Sequence, residues 1–383
     1  MNKFCIAAFS AAVSAACFAT EFSDALDASI VKSIMPSKGS AVVSSYSVAF
    51  TAGFLGDGMD SREARVALSE KMGLKTTNFG PTFMRNRLKF AEWGRTNGVE
   101  VLFANSMWMR NYTRLNHEFH LVARRDYDFA FGPLSNVESM NAWSSVRTDG
   151  LVPKVVDEVD PACDTMIISA CGFDGAWARP FPPAGEGVFH AEGGDVRLPM
   201  MRDVRSLRMV KRPGYTAFSL MYRGGKLFLY VVLPDSGKAP RELMESFKPS
   251  ELSLLDRALL PDYHPEDDKG DPLPEVEGAS ESVVRLSMPK FRIDTEVDVI
   301  PALAVLGVQR TGFEEICKDM RIGGAIQCNA FVTSETGGEV GKIELPAAKT
   351  AGEPLEIACD RPFVFILRTV DRLTLLAGVF AGR

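Results

Sequence analysis

Hydrophobic periodicity changes character midway along this chain, and that switch limits the folds open to it. The first half reads helical. Asp60 with Glu63 forms a capping box ahead of Ala64, Val66, Ala67 and Leu68, and Gly73 closes that helix. Leu115 to Ala123, followed by Tyr127-Asp128-Phe129, reads as a second amphipathic helix. From Met166 onward strands take over. Met166-Ile167-Ile168 is a buried strand, and Phe218 to Tyr222 with Leu227 to Leu233 flank Arg223-Gly224-Gly225-Lys226 as a hairpin. Val283 to Met288, Ala330-Phe331-Val332 and Phe363 to Leu367 complete the strand-rich half. Helices first and strands later predict an α+β fold, not a doubly wound parallel sheet. No repeat or clean linker divides the chain, so one domain is expected, although 383 residues would also allow two or three. Residues 261–281, acidic and carrying Pro265, Pro272 and Pro274, read as an exposed excursion from it.

At 46% hydrophobic the chain can bury a large core. The net charge of -6 is spread without long runs, which argues against nucleic acid as a partner. Lys3 precedes an apolar stretch from Phe4 to Phe18, and the next charge is Glu21. Residues 1–19 therefore read as a signal peptide cut near Cys17-Phe18-Ala19, which leaves 20–383 for export to an extracellular or periplasmic space. The run is short for a membrane span, which takes about 20 apolar residues. Ser14-Ala15-Ala16-Cys17 offers an alternative, a lipoprotein anchored at Cys17, but lacks the usual large aliphatic residue first. Cys163, Cys171, Cys317, Cys328 and Cys359 then remain, an odd set at irregular spacings. That is neither a disulfide framework nor a zinc signature. Buried thiols are expected, with a Cys163–Cys171 bridge as the open alternative.

Enzymatic motifs are missing. Four histidines are present; His117 and His120 sit one helical turn apart without a third ligand nearby, and read as a helix surface. His190 and His264 accompany no nucleophile or carboxylate motif. The sequence contains no Gly-x-Ser-x-Gly elbow, Walker loop, Cys-x-x-Cys or dinucleotide fingerprint. Gly53-Phe54-Leu55-Gly56-Asp57-Gly58 follows a helix-like run and reads as a turn before the next helix rather than a phosphate cradle. No cofactor or metal is expected, and the chain does not read as an enzyme.

One segment is unlike an ordinary connection. Glu335-Thr336-Gly337-Gly338-Glu339-Val340-Gly341 is small and acidic; a Pro- and Ala-bearing stretch follows, and Asp360-Arg361-Pro362-Phe363 then leads into Val364-Phe365-Ile366-Leu367. Loops this long inside a compact domain are usually functional or disordered. The arrangement resembles the reactive-centre loop of the serpins, the serine protease inhibitor superfamily. Ser44-Ser45-Tyr46-Ser47-Val48 resembles that family's Ser-Pro-Tyr-Ser, and Asn141-Ala142-Trp143 with Thr148-Asp149-Gly150 its Asn-x-Trp…Thr-x-Gly element. Ser169 to Trp177 with Pro180-Phe181 is similar to Asn-Ala-x-x-Phe-x-Gly-x-Trp…Pro-Phe in all but the first residue. Pro199-Met200-Met201, Leu233-Pro234-Asp235 and Met288-Pro289-Lys290-Phe291 fall in the family's order.

The resemblance implies a mixed central sheet with smaller sheets, a monomer, and a loop at 335–359 offered to a serine protease as a suicide substrate. Its hinge would be Glu335, Gly337, Gly338, Glu339, Val340 and Gly341. Trp177, Lys290 and Cys328 would line the breach where the loop enters the sheet, with Lys290 paired to Glu335 and Cys328 where the family keeps a histidine. The family's spacing from hinge to Pro362-Phe363 sets the scissile bond at Ala351–Gly352, which suits an elastase-like pocket; Lys349, suiting a trypsin-like one, competes. The family's register turns Gly338, Val340, Lys342, Glu344 and Pro346 inward. Two buried charges would cost several kcal/mol each unless well paired, and Pro346 removes an amide from a central strand. Those three residues favour an alternative: a non-inhibitory serpin acting as carrier, chaperone or binding protein, or merely a protease substrate.

Overall fold

A computed structural model describes residues 24–261, 263, 265–266, 271–336 and 353–382. The helices are α1 (Asp24–Ile34), α2 (Ser45–Asp57), α3 (Arg62–Lys71), α4 (Gly80–Asn97), α5 (His117–Val122), α6 (Val137–Arg147), α7 (Pro240–Ser246), α8 (Pro249–Leu259) and α9 (Ile300–Val305). The strands of the first half are β1 (Ala41–Val43), β2 (Val99–Met109), β3 (Ala130–Pro133), β4 (Thr165–Gly175) and β5 (Glu186–Ala191). Then come β6 (Gly194–Arg212), β7 (Tyr215–Met221), β8 (Leu227–Pro234), β9 (Ala279–Pro289) and β10 (Phe291–Asp298). The last are β11 (Ile322–Thr333), β12 (Leu355–Ala358), β13 (Phe363–Thr369) and β14 (Thr374–Phe380). Helices lead and strands dominate afterwards, the α+β order expected.

Two sheets organise the described residues. One runs β10-β11-β4-β2-β3; the other runs β1-β14-β13-β8-β7-β6-β9-β12, with β5 paired to β6. Strand faces alternate, so the five-stranded sheet has two different sides. Ile167, Cys171, Phe173, Ala325 and Phe331 enter the main core with α2 and α4. Ala104, Trp108, Ile168, Ala170, Cys328 and Ala330 face a smaller cluster closed by Met140 of α6 and by Val152 and Val155 behind it.

Local chemistry corrects several sequence expectations. Ser61, not Asp60, caps α3: its Oγ accepts the Ala64 N–H at 3.1 Å and donates to Glu63, while Asp60 accepts from the Glu314 N–H. The expected helix at 115–123 begins only at His117, where Asn116 accepts from two backbone amides, and continues as a wider π-turn from Ala123 to Tyr127. Gly53 to Asp57 is not a turn; it is the last part of α2. A Cβ at Gly53 would lie 2.3 Å from the Phe83 ring and one at Gly56 would lie 2.6 Å from the Phe79 ring. The glycines are there to let α4 approach, and a composition reading mistook close packing for a bend. The five described cysteines are all free and buried. Cys171 faces the main core from β4, whereas Cys163 precedes that strand and belongs to the smaller cluster on the α6 side, so no bridge joins them. In the 261–281 excursion, Ala279 to Glu281 belong to β9, laddered to β6. Among the described residues no helix is long and apolar enough to cross a membrane.

Candidate functional site: the β4–β11 seam

At the centre of the five-stranded sheet, β4 and β11 run parallel to each other, laddered from Ile322–Thr165 to Phe331–Phe173. Each is antiparallel to its other neighbour, β2 and β10 respectively. Parallel pairing is slightly weaker per residue than antiparallel pairing. A strand placed between these two, running back from the upper end of β11, would be antiparallel to both. Such a strand would exchange one weaker ladder for two stronger ones.

The upper end of the seam is tied by backbone and ion-pair contacts. Trp177, 1% exposed, donates its Nε1–H to Ser334 O at 2.8 Å and its backbone N–H to Thr336 O at 3.0 Å. Phe181 N–H donates to Glu335 O at 2.8 Å. The indole stacks on Tyr222 with ring centroids 4.3 Å apart. Lys290, in the corner between β9 and β10, holds the Glu335 carboxylate at 2.5 Å, both side chains being about three-quarters buried. Partial burial pushes the Glu335 pKa up, but the Lys290 hydrogen bond and charge outweigh it, so it sits below the usual carboxylate range. Trp177, Lys290 and Glu335 thus meet around Ser334–Thr336, the last described residues before the loop.

Cys328 does not join them. It lies mid-strand opposite Ala170 and faces the α6 side, 3.7 Å from Val155 O, where burial pushes its thiol up to about 12. Strand alternation explains the misplacement: one residue earlier, Gln327 faces the main core. Its amide accepts from Ser44 N–H at 2.8 Å and donates to Ser44 O at 3.0 Å, clamping β11 to the start of α2. Ser169 of β4, paired in register with Gln327, donates to Asn105 at 2.7 Å and lies 3.3 Å from Thr51. Asn329, 2% exposed, sits one pleat further on. The seam is therefore underlaid by polar groups that sequence reasoning missed. Their signal was present: Gln327 and Asn329 interrupt an otherwise apolar or small strand at i, i+2.

Gly337, Gly338, Glu339, Val340 and Gly341 lie outside the described residues, as do Lys342, Glu344, Pro346, Lys349 and the Ala351–Gly352 bond. The chain is anchored again at β12, which pairs parallel to β9 at the edge of the nine-stranded sheet from Leu355–Val284 to Ala358–Ser287. Cys359 N–H then donates to Ser287 O at 2.8 Å. The far end of the 335–359 region is thus strand, held by a short edge ladder and an exposed Arg285–Glu356 pair at 3.0 Å.

The tie at the top of the seam is testable. Lys290→Glu places two carboxylates where an ion pair stood, and the expected destabilisation is about 1 kcal/mol because the pair is part solvated. The sharper readout is amide exchange: the Trp177 and Phe181 N–H groups should exchange faster while amides in the middle of β4 keep their protection. Uniform loss of protection would mean that the pair supports the whole sheet and not its upper end.

Comparison with known proteins agrees with this architecture. The serpin (serine protease inhibitor) family matches residues 19–382. An uncharacterised serpin-like protein of Thermococcus kodakarensis is 23% identical over 73% of this chain and 65% of its own length. Plasminogen activator inhibitor 1 of Bos taurus is 24% identical over 80% of this chain and 77% of its own. Among solved structures, the thermophilic serpin tengpin in its native state superposes with a TM-score of 0.76 at 18% identity, covering 94% of this chain and 93% of that one. A family match along nearly the whole chain, together with a shared fold, establishes that the chain belongs to the serpin family.

Proposed function

We propose that the chain is an exported inhibitor of serine proteases, consumed as it acts. The segment 337–352 serves as bait, and cleavage frees its upstream part to enter the β4–β11 seam while the protease is still acyl-bound. The parallel seam carries this reading: the strand that leaves β11 at its upper end is the one whose return would convert it to antiparallel pairing. Small hinge residues (Gly337, Gly338, Gly341) suit rapid entry, and Ala351–Gly352 suits a protease with a small specificity pocket. Residues 1–19 supply the export signal. The test is incubation with an elastase-like protease. A denaturant-resistant adduct should form, absent when the protease serine is blocked beforehand, with a released fragment beginning at Gly352. A fragment beginning at Thr350 would assign the bond to Lys349; clean cleavage with no adduct would reject inhibition.

That last outcome would favour the second reading, a serpin fold without the trap, for which Lys342, Glu344 and Pro346 speak. The apolar cavity between α1, α7, α8 and strands β13 and β14, at about 50 Å³, is well below the roughly 300 Å³ of a typical ligand site, so carriage of a small molecule in that cavity finds little support. Replacing Lys342 and Glu344 with Ala should raise the adduct-to-cleaved ratio several-fold, because two charges no longer resist burial. An unaltered ratio would show that neither side chain enters the sheet.

A further inference from the structure

Away from the seam, a pocket of about 300 Å³ opens between Tyr112, in the short turn that follows β2, and α5, β3 and α6, within the size range of small-ligand sites. Its walls are aromatic. Tyr112, Phe131 and Trp143 are only half-buried there, whereas Phe129 behind them is buried and stacked on Phe54 at 3.8 Å. Phe131 is fixed edge-on to His120 at 5.0 Å, and Trp143 edge-on to Trp108 at 6.3 Å. Aromatic faces held rigid around a concavity, and left partly wet, suit a flat ring.

The charges point to an anion. Asp128 is the carboxylate in the lining, and it is already claimed: Arg147 hydrogen-bonds it and Arg87 lies 3.6 Å away. Arg124 is different. It stands exposed at the rim, and among the described residues its guanidinium makes no hydrogen bond or ion pair, although its carbonyl accepts the Asp128 N–H at 3.2 Å and so fixes the turn that carries it. Burial and the neighbouring Arg124 and His117 hold the His120 pKa below its ordinary value, which leaves a neutral ring in the wall at physiological pH. The pocket therefore offers one uncommitted positive charge beside three aromatic surfaces.

We propose that this pocket binds a planar aromatic monoanion, its ring between Tyr112, Phe131 and Trp143 and its carboxylate on Arg124. The site shares no residue with 337–352, so it stands whether or not the chain inhibits a protease. A guanidinium–carboxylate contact is directional and charge-assisted, and the same group can also lie against a ring face.

The probe is 2-naphthoate, titrated against the intact protein with ligand-observed NMR and tryptophan fluorescence. Saturable one-site binding is expected, with a dissociation constant below about 1 mM. Uncharged 2-naphthamide, and naphthoate with Arg124→Gln, should each bind about ten-fold more weakly. Arg124 is exposed and its side chain has no partner among the described residues, so that variant should keep its thermal midpoint. Trp143→Ala should abolish binding, and if it unfolds the protein, Tyr112→Phe and Tyr112→Ala replace it, with only the second losing affinity. Absence of saturation at about 5 mM, equal affinity for acid and amide, or indifference to Arg124→Gln would each overturn the proposal.

Discussion

A single cut in the segment 337–352 should raise the thermal midpoint of this protein by about 20 °C. In the uncut chain β4 and β11 share one parallel ladder from Thr165 to Phe173. A returning strand replaces it with two antiparallel ladders and buries alternate side chains on both faces, one row over the Gln327–Asn329 layer and the other beneath α6. Ladder bonds contribute about 1 kcal/mol each net, and a row of buried aliphatic groups about as much per residue. Ordering the inserted residues opposes both. A surplus on the order of 10 kcal/mol remains, and at about 2 °C per kcal/mol for a chain of this size the shift is of that order. The experiment compares calorimetric melts of intact and nicked protein, the nick being mapped by mass. Midpoints within about 2 °C of each other would show that the cut loop stays outside. The intact form would then be an ordinary equilibrium structure, with no kinetically held state to release.

How much of this was legible beforehand depends on what kind of signal each feature sends. The order of elements and the hairpin at Arg223–Gly225 were readable because periodicity and turn residues act locally. So was the Lys290–Glu335 pair, through the family resemblance that placed the two residues at one end of the sheet. The 19-residue β6 was not anticipated, because Arg202, Arg205 and Arg208 disguise its apolar face. Arg205 is 4% exposed, stacked over the Phe181 ring at 3.6 Å and paired with Asp203 at 3.0 Å, a placement that composition cannot reveal. Cys328 was misplaced by a single residue, and in a strand one residue is the other side of the sheet. Gln327 gives the seam an amide clamp at Ser44 that does not titrate over the physiological range. Packing of Gly53 and Gly56 against Phe83 and Phe79 likewise depends on side chains 30 and 23 residues away, and no local window contains it.

Arg368→Met should destabilise the protein by about 3–5 kcal/mol at neutral pH. Arg368 is fully buried at the end of β13, joined to Asp24 at 3.0 Å and Asp256 at 2.5 Å, with Asp27 at 4.0 Å and Thr374 Oγ1 accepting at 2.6 Å. Tyr230 donates to the other Asp256 oxygen at 3.0 Å. Burial works against the guanidinium, yet Asp256 and Asp24 hold its pKa above the ordinary value. Burial pushes Asp27 up to about 6 and raises Asp256 as well, with Arg368 pulling both back. Without the arginine that restraint is gone, and the folded-state values rise further above the unfolded ones. A carboxyl whose folded pKa is raised binds its proton more tightly in the native state, so native stability is recovered as pH falls through that pKa. The penalty should therefore be largest above pH 7 and shrink toward pH 5, as measured by urea unfolding at each pH. A penalty that does not vary with pH would mean lost packing rather than uncompensated charge. The network ties α1 and α8 to the nine-stranded sheet, away from the β4–β11 seam, and sites that share no partners add independently. Intact and nicked forms should consequently lose equal stability, and the gap between their midpoints should survive the substitution. A gap that closed in Arg368→Met would show that this buried cluster, and not the seam alone, holds the free energy that cleavage releases.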